Sequence, residues 1–357
     1  MKKGKIILAS AIAVSILAAA YFVFNKKQKA TLFNPAFSLY ISAYTSGNIS
    51  KESSIRVRLA HEVPQGLIDS LGSTNLFEFS PTIKGTTRWI NNYSVEFIPE
   101  HNLESGVLYK AQFSLGKIMP VPDDLKEFHF DFQVIIQSFE VQVDGLKAFD
   151  KTTLQWQRIF GSVLTADVES VESIEKILNA KQSEKLLPIR WEMDAGRNRF
   201  LFTIDSVARG DLASSVILEW NGKSINVDYK GTKEVSIPAL GDFIVVDKKV
   251  FYDPEQYLLI QFSDPLLENQ NLDGLIRVSN TSNLRFSIID NEIRVYSPQR
   301  LTGRYEVAIE KGVQNVLKYQ LKEAVDFVIT FEELNPAVKI LSKGVVLPTS
   351  DKFTIPF

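Results

Sequence analysis

The chain holds three histidines, His61, His101 and His129, and no cysteine. Without Cys it has no thiolate nucleophile, zinc–thiolate site, disulfide or acylated lipoprotein cysteine. No His has HExxH spacing or a carboxylate at ligand spacing, so each reads as a surface or half-exposed side chain. Asp123-Asp124 has no second acidic cluster nearby and reads as a solvated loop. There is no G-x-S-x-G element, Walker loop or dinucleotide fingerprint. The sequence therefore nominates no catalytic, cofactor-binding or metal-ligating residue and no cofactor, and an enzyme is the least expected class.

Weaker signals remain. Arg209-Gly210-Asp211 spells an adhesion tripeptide, but Gly-Asp also suits a turn. Asn48-Ile49-Ser50, Asn92-Tyr93-Ser94 and Asn280-Thr281-Ser282 match the N-glycosylation pattern, which matters only in a eukaryotic secretory path. Trp89, Trp156, Trp191 and Trp220 fall in or beside strands. Core packing is the default for them, and a sugar-stacking platform is the alternative. Lys+Arg is 40 against Asp+Glu 42, which argues against a nucleic-acid footprint with its basic face.

The elements around these residues begin with an anchor. Lys2, Lys3 and Lys5 precede an uncharged run from Ile6 to Phe24, and Lys26, Lys27 and Lys29 close it. As a helix the run is roughly 28 Å long, close to a bilayer core. The expectation is an uncleaved signal-anchor over 1–30 with the body on the exported face, periplasmic or at the cell surface. A signal peptide cleaved near Ala18-Ala19-Ala20 is the rival.

Beyond the anchor the periodicity is two. Ile55, Val57 and Leu59 alternate with Arg56 and Arg58; Tyr109 to Leu115 and Phe128 to Val134 behave alike, as half-buried strands do. Further strands are expected at Thr153 to Val163, Phe200 to Ile204 and Val216 to Trp220. Asn91-Asn92 and Pro254 mark turns, and Asn221-Gly222 predicts a tight hairpin over Val216 to Tyr229. Val171, Ile174 and Leu178 keep helical spacing and predict a short helix or irregular insertion, packed locally.

A repeat sets the plan. Val95-Glu96-Phe97-Ile98-Pro99 leads through Leu103 and Gly106 to Tyr109, and Ile293-Arg294-Val295-Tyr296-Ser297-Pro298 leads through Leu301 and Gly303 to Tyr305. Pro fits strand ends, and Gly fits a turn needing positive φ. The separation leaves room for one whole domain between the copies. The expected fold is all-β: tandem Ig-like or macroglobulin-like sandwiches at 33–137, 138–240 (with the helical insertion) and 241–333. Asn335-Pro336 reads as a linker, and Phe353, Ile355 and Phe357 alternate. The segment 334–357 is thus expected to start a further domain of a longer protein.

Several segments together resemble the N-terminal region of bacterial alpha-2-macroglobulins. Phe77-Glu78-Phe79-Ser80-Pro81, Lys84-Gly85, Trp89 and Val95 to Pro99 are similar to the family's first domain, continued by Gly106, Tyr109, Phe113 and Leu115-Gly116-Lys117. Gly161 to Val168 with Ile174-Glu175-Lys176 is similar to the next segment. Phe262-Ser263-Asp264-Pro265-Leu266, Asn269 to Leu272 and Gly274-Leu275-Ile276 resemble the third. Lys343 to Pro348 and Ile355-Pro356-Phe357 look like the beginning of the following domain. The resemblance implies a protease trap, in which a bait segment is cut and a Cys–Gln thioester acylates the attacker. This chain has no Cys, so on that reading bait and thioester lie beyond Phe357, and the Ile6 to Phe24 span replaces the lipobox Cys. The implied partners are proteases, through that downstream region, later domains of the same protein, and the membrane through Ile6 to Phe24; nucleic acid is not expected. The leading function is a non-catalytic scaffold of a membrane-anchored endopeptidase inhibitor. An Ig-like surface stalk or adhesin and a periplasmic carbohydrate-binding module are the alternatives.

Overall fold

The computed structural model describes residues 34–72, 74–148 and 150–333, and the backbone of 346–348. The expected span Ile6 to Phe24, the linker Asn335-Pro336 and the alternating Phe353, Ile355 and Phe357 lie outside the described residues. Among the described residues no helix is long and apolar enough to cross a membrane.

The first sandwich contains β1 (Ile41–Thr45), β2 (Gly47–Ile49), β3 (Ile55–Leu59), α1 (Gln65–Leu71), β4 (Phe77–Ser80), β5 (Gly85–Asn91), β6 (Ser94–Pro99), β7 (Leu108–Ser114) and β8 (Glu127–Val134). One sheet runs β1-β3-β6-β5 and the other β2-β8-β7-β4. β2 lies parallel to β8, so the β1–β2 run changes sheet midway. A further short strand, β24 (Val346–Pro348), pairs antiparallel with the outer edge of β1. The alternation in β3 and β8 places Ile55, Val57, Leu59, Phe128, Phe130, Phe132 and Val134 inside. The core is aromatic: Phe77 and Phe113 lie 5.0 Å apart and Phe79 and Phe97 4.7 Å apart, centroid to centroid.

The second sandwich has β9 (Phe139–Ala148), β10 (Trp156–Thr165), α2 (Val171–Ile174), β11 (Leu178–Gln182), β12 (Lys185–Leu187), β13 (Arg190–Met193), β14 (Arg199–Ala208), β15 (Ser214–Asn221) and β16 (Lys230–Ile237). Its sheets are β9-β10-β14-β13 and β12-β11-β15-β16. The third has β17 (Val245–Phe251), β18 (Tyr257–Phe262), β19 (Ile276–Val278), β20 (Arg285–Ile289), β21 (Glu292–Tyr296), β22 (Gly303–Ile309) and β23 (Val325–Phe331). Its sheets are β17-β18-β21-β20 and β19-β22-β23. If the seven principal strands of each unit are lettered A to G in chain order, all three set A-B-E-D against C-F-G. That is the immunoglobulin-like arrangement. The buried apolar residues fall into three clusters, one per unit.

The repeat seen in the sequence is the E-to-F passage from one sheet to the other. Gly106 (φ 76°) and Gly303 (φ 90°) both take the left-handed backbone expected of them. Three local expectations change. The strand expected at Thr153 to Val163 begins at Trp156, because Leu154 has φ 58° and breaks the extended run. The helical stripe is split: α2 ends at Ile174, and Leu178 opens β11. The tight hairpin at Asn221-Gly222 is instead a longer connection. Asn221 caps a 3-10 turn over Gly222–Ile225 by accepting from Lys223 N, and β16 starts only at Lys230. Ile225 is buried by that turn, which a two-residue loop would have left outside.

Candidate functional site

His61, His101, His129, Asp123 and Asp124 are all exposed; His61 and His101 sit in loops, His129 on β8, and the two Asp share a 3-10 turn. Among the described residues no group of three His, Asp or Glu side chains could hold a metal. Trp89, Trp191 and Trp220 pack against the cores, and Trp191 meets Phe202 edge-on at 5.8 Å. Trp156 is the exception, with 42% of its surface exposed.

The chemistry-bearing side chains gather where the sandwiches meet. Arg209, first residue of the adhesion-like tripeptide, has 0% of its side chain exposed. It sits where β14 ends and ion-pairs with Asp264 of the third sandwich, itself 1% exposed. The guanidinium also donates to Pro238 O (3.0 Å), Ala239 O (3.1 Å) and Asp242 O (2.6 Å), so the linker wraps around it. Asn315 Nδ2 donates to the other Asp264 oxygen at 3.1 Å. A buried ion pair stands only when its remaining donors and acceptors are satisfied, and these are. Burial pushes the Asp264 carboxyl above its ordinary value; Arg209 and Asn315 pull the other way without fully offsetting it.

Around that pair, β9 lies against the third sandwich. Asn291 Nδ2 donates to Phe262 O (2.7 Å) and Leu146 O (3.3 Å), Lys249 Nζ to Asp144 O (3.2 Å), and Lys147 pairs with Asp290 at 3.1 Å. Gly145 permits this approach, since a Cβ there would stand 2.7 Å from the Phe160 ring and 3.0 Å from Gln261 Oε1. Gln157 Oε1 and Gln261 Oε1 are buried without a partner among the described residues.

The joint between the first and second sandwiches is a different network. Lys51 donates its backbone N–H to Asp167 Oδ2 (2.7 Å) and its amine to Glu169 Oε1 (2.6 Å). Gln137, in the linker, donates to Glu169 Oε1 (2.7 Å) and accepts from Asp167 N (3.0 Å). Outside it Arg197 grips Glu52 in a fork at 2.8 and 3.0 Å, both partly exposed. A cavity of about 250 Å³ adjoins this joint, and Lys51 supplies its cation.

No family model matches the chain, and no curated protein matches it. Among solved structures it is similar to the mouse nectin-like molecule 4 ectodomain (Ig1–Ig3), at 12% identity and TM-score 0.24, over 82% of this chain and 99% of that one. It is also similar to SGBP-B of a Bacteroides ovatus mixed-linkage glucan utilization locus, in complex with a heptasaccharide (8%, TM-score 0.24, 80% and 66%). An L,D-transpeptidase from Mycobacterium tuberculosis H37Rv gives 8%, TM-score 0.22, 62% and 76%. TM-scores this low carry no argument, and the immunoglobulin-like arrangement stands on the strand order above.

Two grooves lie away from these joints. One of about 840 Å³ in the third sandwich is lined by Leu284, Phe286, Val307 and Phe327 with Arg277 and Asp326. The other, of about 530 Å³, lies beside Trp156. The sequence reading missed Lys51, Gln137 and Glu169 entirely, and met Asp167 only inside the resembling segment Gly161 to Val168. It quoted Arg209 and Asp264 for other reasons.

Proposed function

We propose that this chain is a non-catalytic scaffold: serial sandwiches locked in fixed orientation, forming the front end of a membrane-anchored, alpha-2-macroglobulin-like protease trap. The observation that carries the scaffold reading is the Arg209–Asp264 joint, where a charged pair is sealed from water between two sandwiches. A flexible stalk needs only a tether between its units. Burying two charges at a joint sets orientation, because any tilt exposes or unpairs them. The trap itself rests on the order of the resembling segments. One of them, Phe262-Ser263-Asp264-Pro265, supplies this joint: Asp264 takes the ion pair and Ser263 O accepts from Ala148 N at 3.3 Å. The adhesin alternative loses its motif, since a buried Arg209 is out of reach of a receptor.

The test is the gene past codon 357 and its full-length product. The expected result is a continuing frame with a Cys- and Gln-bearing thioester segment, and a product that captures trypsin covalently on a denaturing gel. A frame ending in further sandwiches, or a product that leaves trypsin uncaptured, overturns the trap reading.

A further inference from the structure

The outer face of the A-B-E-D sheet carries a matched charge ladder in two of the three sandwiches. In the first it is Arg56–Glu96–Arg88 on β3, β6 and β5; in the second it is Arg158–Asp205–Arg190 on β10, β14 and β13. The first is closed: Glu96 is 1% exposed and also accepts from Ser54 Oγ at 3.0 Å. The second is open, with Asp205 29% exposed. Two differences open it. The register of β10 against β14 shifts between Gln157 and Ile159. In addition, two residues before the ladder arginine stands Ser54 in one sandwich and Trp156 in the other.

The result is the 530 Å³ groove, with Trp156 from β10 on one side, Pro188 and Arg190 leading into β13 on the other, and Thr203, Asp205 and Ser206 of the central β14 between them. The Ser206 hydroxyl is buried with no partner among the described residues. Arg190 is 59% exposed and contacts Asp205 at 2.8 Å.

We propose that this groove binds a carboxylate-bearing pyranose of a glycan chain. An indole offers a flat apolar surface to the C–H face of a sugar ring while its N–H end stays polar. The Asp205 carboxylate and the Ser206 hydroxyl suit ring hydroxyls. The Arg190 guanidinium, 59% exposed at the groove, matches a carboxylate in geometry. An acidic sugar therefore gains where a neutral one does not.

The experiment titrates the full chain with trigalacturonate, with the N-acetylglucosaminyl–N-acetylmuramic acid disaccharide, and with cellotetraose as neutral control, read by calorimetry and tryptophan fluorescence. At least one acidic sugar should bind more tightly than cellotetraose at millimolar concentrations, and which one binds separates a uronate chain from wall glycan. Trp156→Ala should weaken binding about tenfold or more. Arg190→Gln should remove the preference for acid over neutral sugar, and Arg56→Gln in the closed ladder should leave sugar binding unchanged. Unchanged thermal midpoints show that each variant is folded. Failure of both acidic sugars to bind, or a Trp156→Ala variant that binds as well as wild type, overturns the proposal. So does an acid preference that survives Arg190→Gln.

Discussion

At the joint between the second and third sandwiches one guanidinium is sealed from water; at the joint between the first and second, the central amine, on Lys51, keeps 18% of its side chain exposed. The first of these joints closes on Arg209 with four hydrogen-bonded acceptors drawn from the linker and the next sandwich. The second is spread over Lys51, Gln137, Asp167 and Glu169, with an exposed Arg197–Glu52 fork outside. Spreading the contacts over several partners, with the Arg197–Glu52 fork at the wet edge, lets each fail separately. Concentrating it in one dry pair makes the joint cooperative, because nothing replaces the lost partner. The pair of sandwiches around Arg209 is thus the more rigid half of the array.

The contrast can be broken most forcefully at Arg209. Arg209→Met should cost about 3–5 kcal/mol in local stability, because it strands the buried Asp264 charge. The readout is lost hydrogen-exchange protection in β9 and β18; Asp264→Leu added to it should restore part of that protection. Gln137→Ala should cost less, about 1–3 kcal/mol, by leaving the Asp167 N–H without a partner and Glu169 Oε1 with Lys51 alone. It should free the first sandwich while β18 stays protected. Small-angle scattering on both variants sharpens the comparison: only Arg209→Met should splay the second and third units.

Acid should also separate the Arg209 joint from the body of the first sandwich. Burial raises the Asp264 pKa, so its contribution is greatest below the ordinary carboxylate value and is lost as pH rises through the folded-state one. Glu96 in the first sandwich is the reverse. Burial pushes its carboxyl up, but hydrogen bonds from Arg88, Ser54 and Arg56 outweigh that and hold it below the ordinary value. Its contribution is present above that value and lost as pH falls through the folded-state one. On acidification, exchange in β3 and β6 should therefore rise before exchange in β18 does. The smallest effect belongs to Arg197→Ala, below about 1 kcal/mol and absent in molar salt, since exposed pairs are screened. A loss as large as that of Arg209→Met would erase the distinction between the joints.

Much of the fold was legible because it is local. The strict alternation of Ile55 to Leu59 and Phe128 to Val134 names one buried face, and Gly106 and Gly303 declare a left-handed backbone that few other residues adopt. The joints were not legible, because their partners are far apart in sequence: Arg209 meets Asp264 across 55 positions and Lys51 meets Asp167 across 116. One signal was present. Leu258-Leu259-Ile260-Gln261-Phe262 has no alternation, and an uninterrupted apolar strand is covered on both faces. All five residues are buried, and the outward-facing Gln261 lies against Gly145 of the second sandwich. The Trp156 groove depends on a one-residue register shift, which residue types do not announce.

The burial of Arg209 also changes how the molecule meets the enzymes it is proposed to confront. The bond between Arg209 and Gly210 spells a cleavage site for an arginine-directed endopeptidase, yet its recognition side chain points into the protein. Digestion there must await separation of the flanking units, so the appearance of that cut would time the opening of the array.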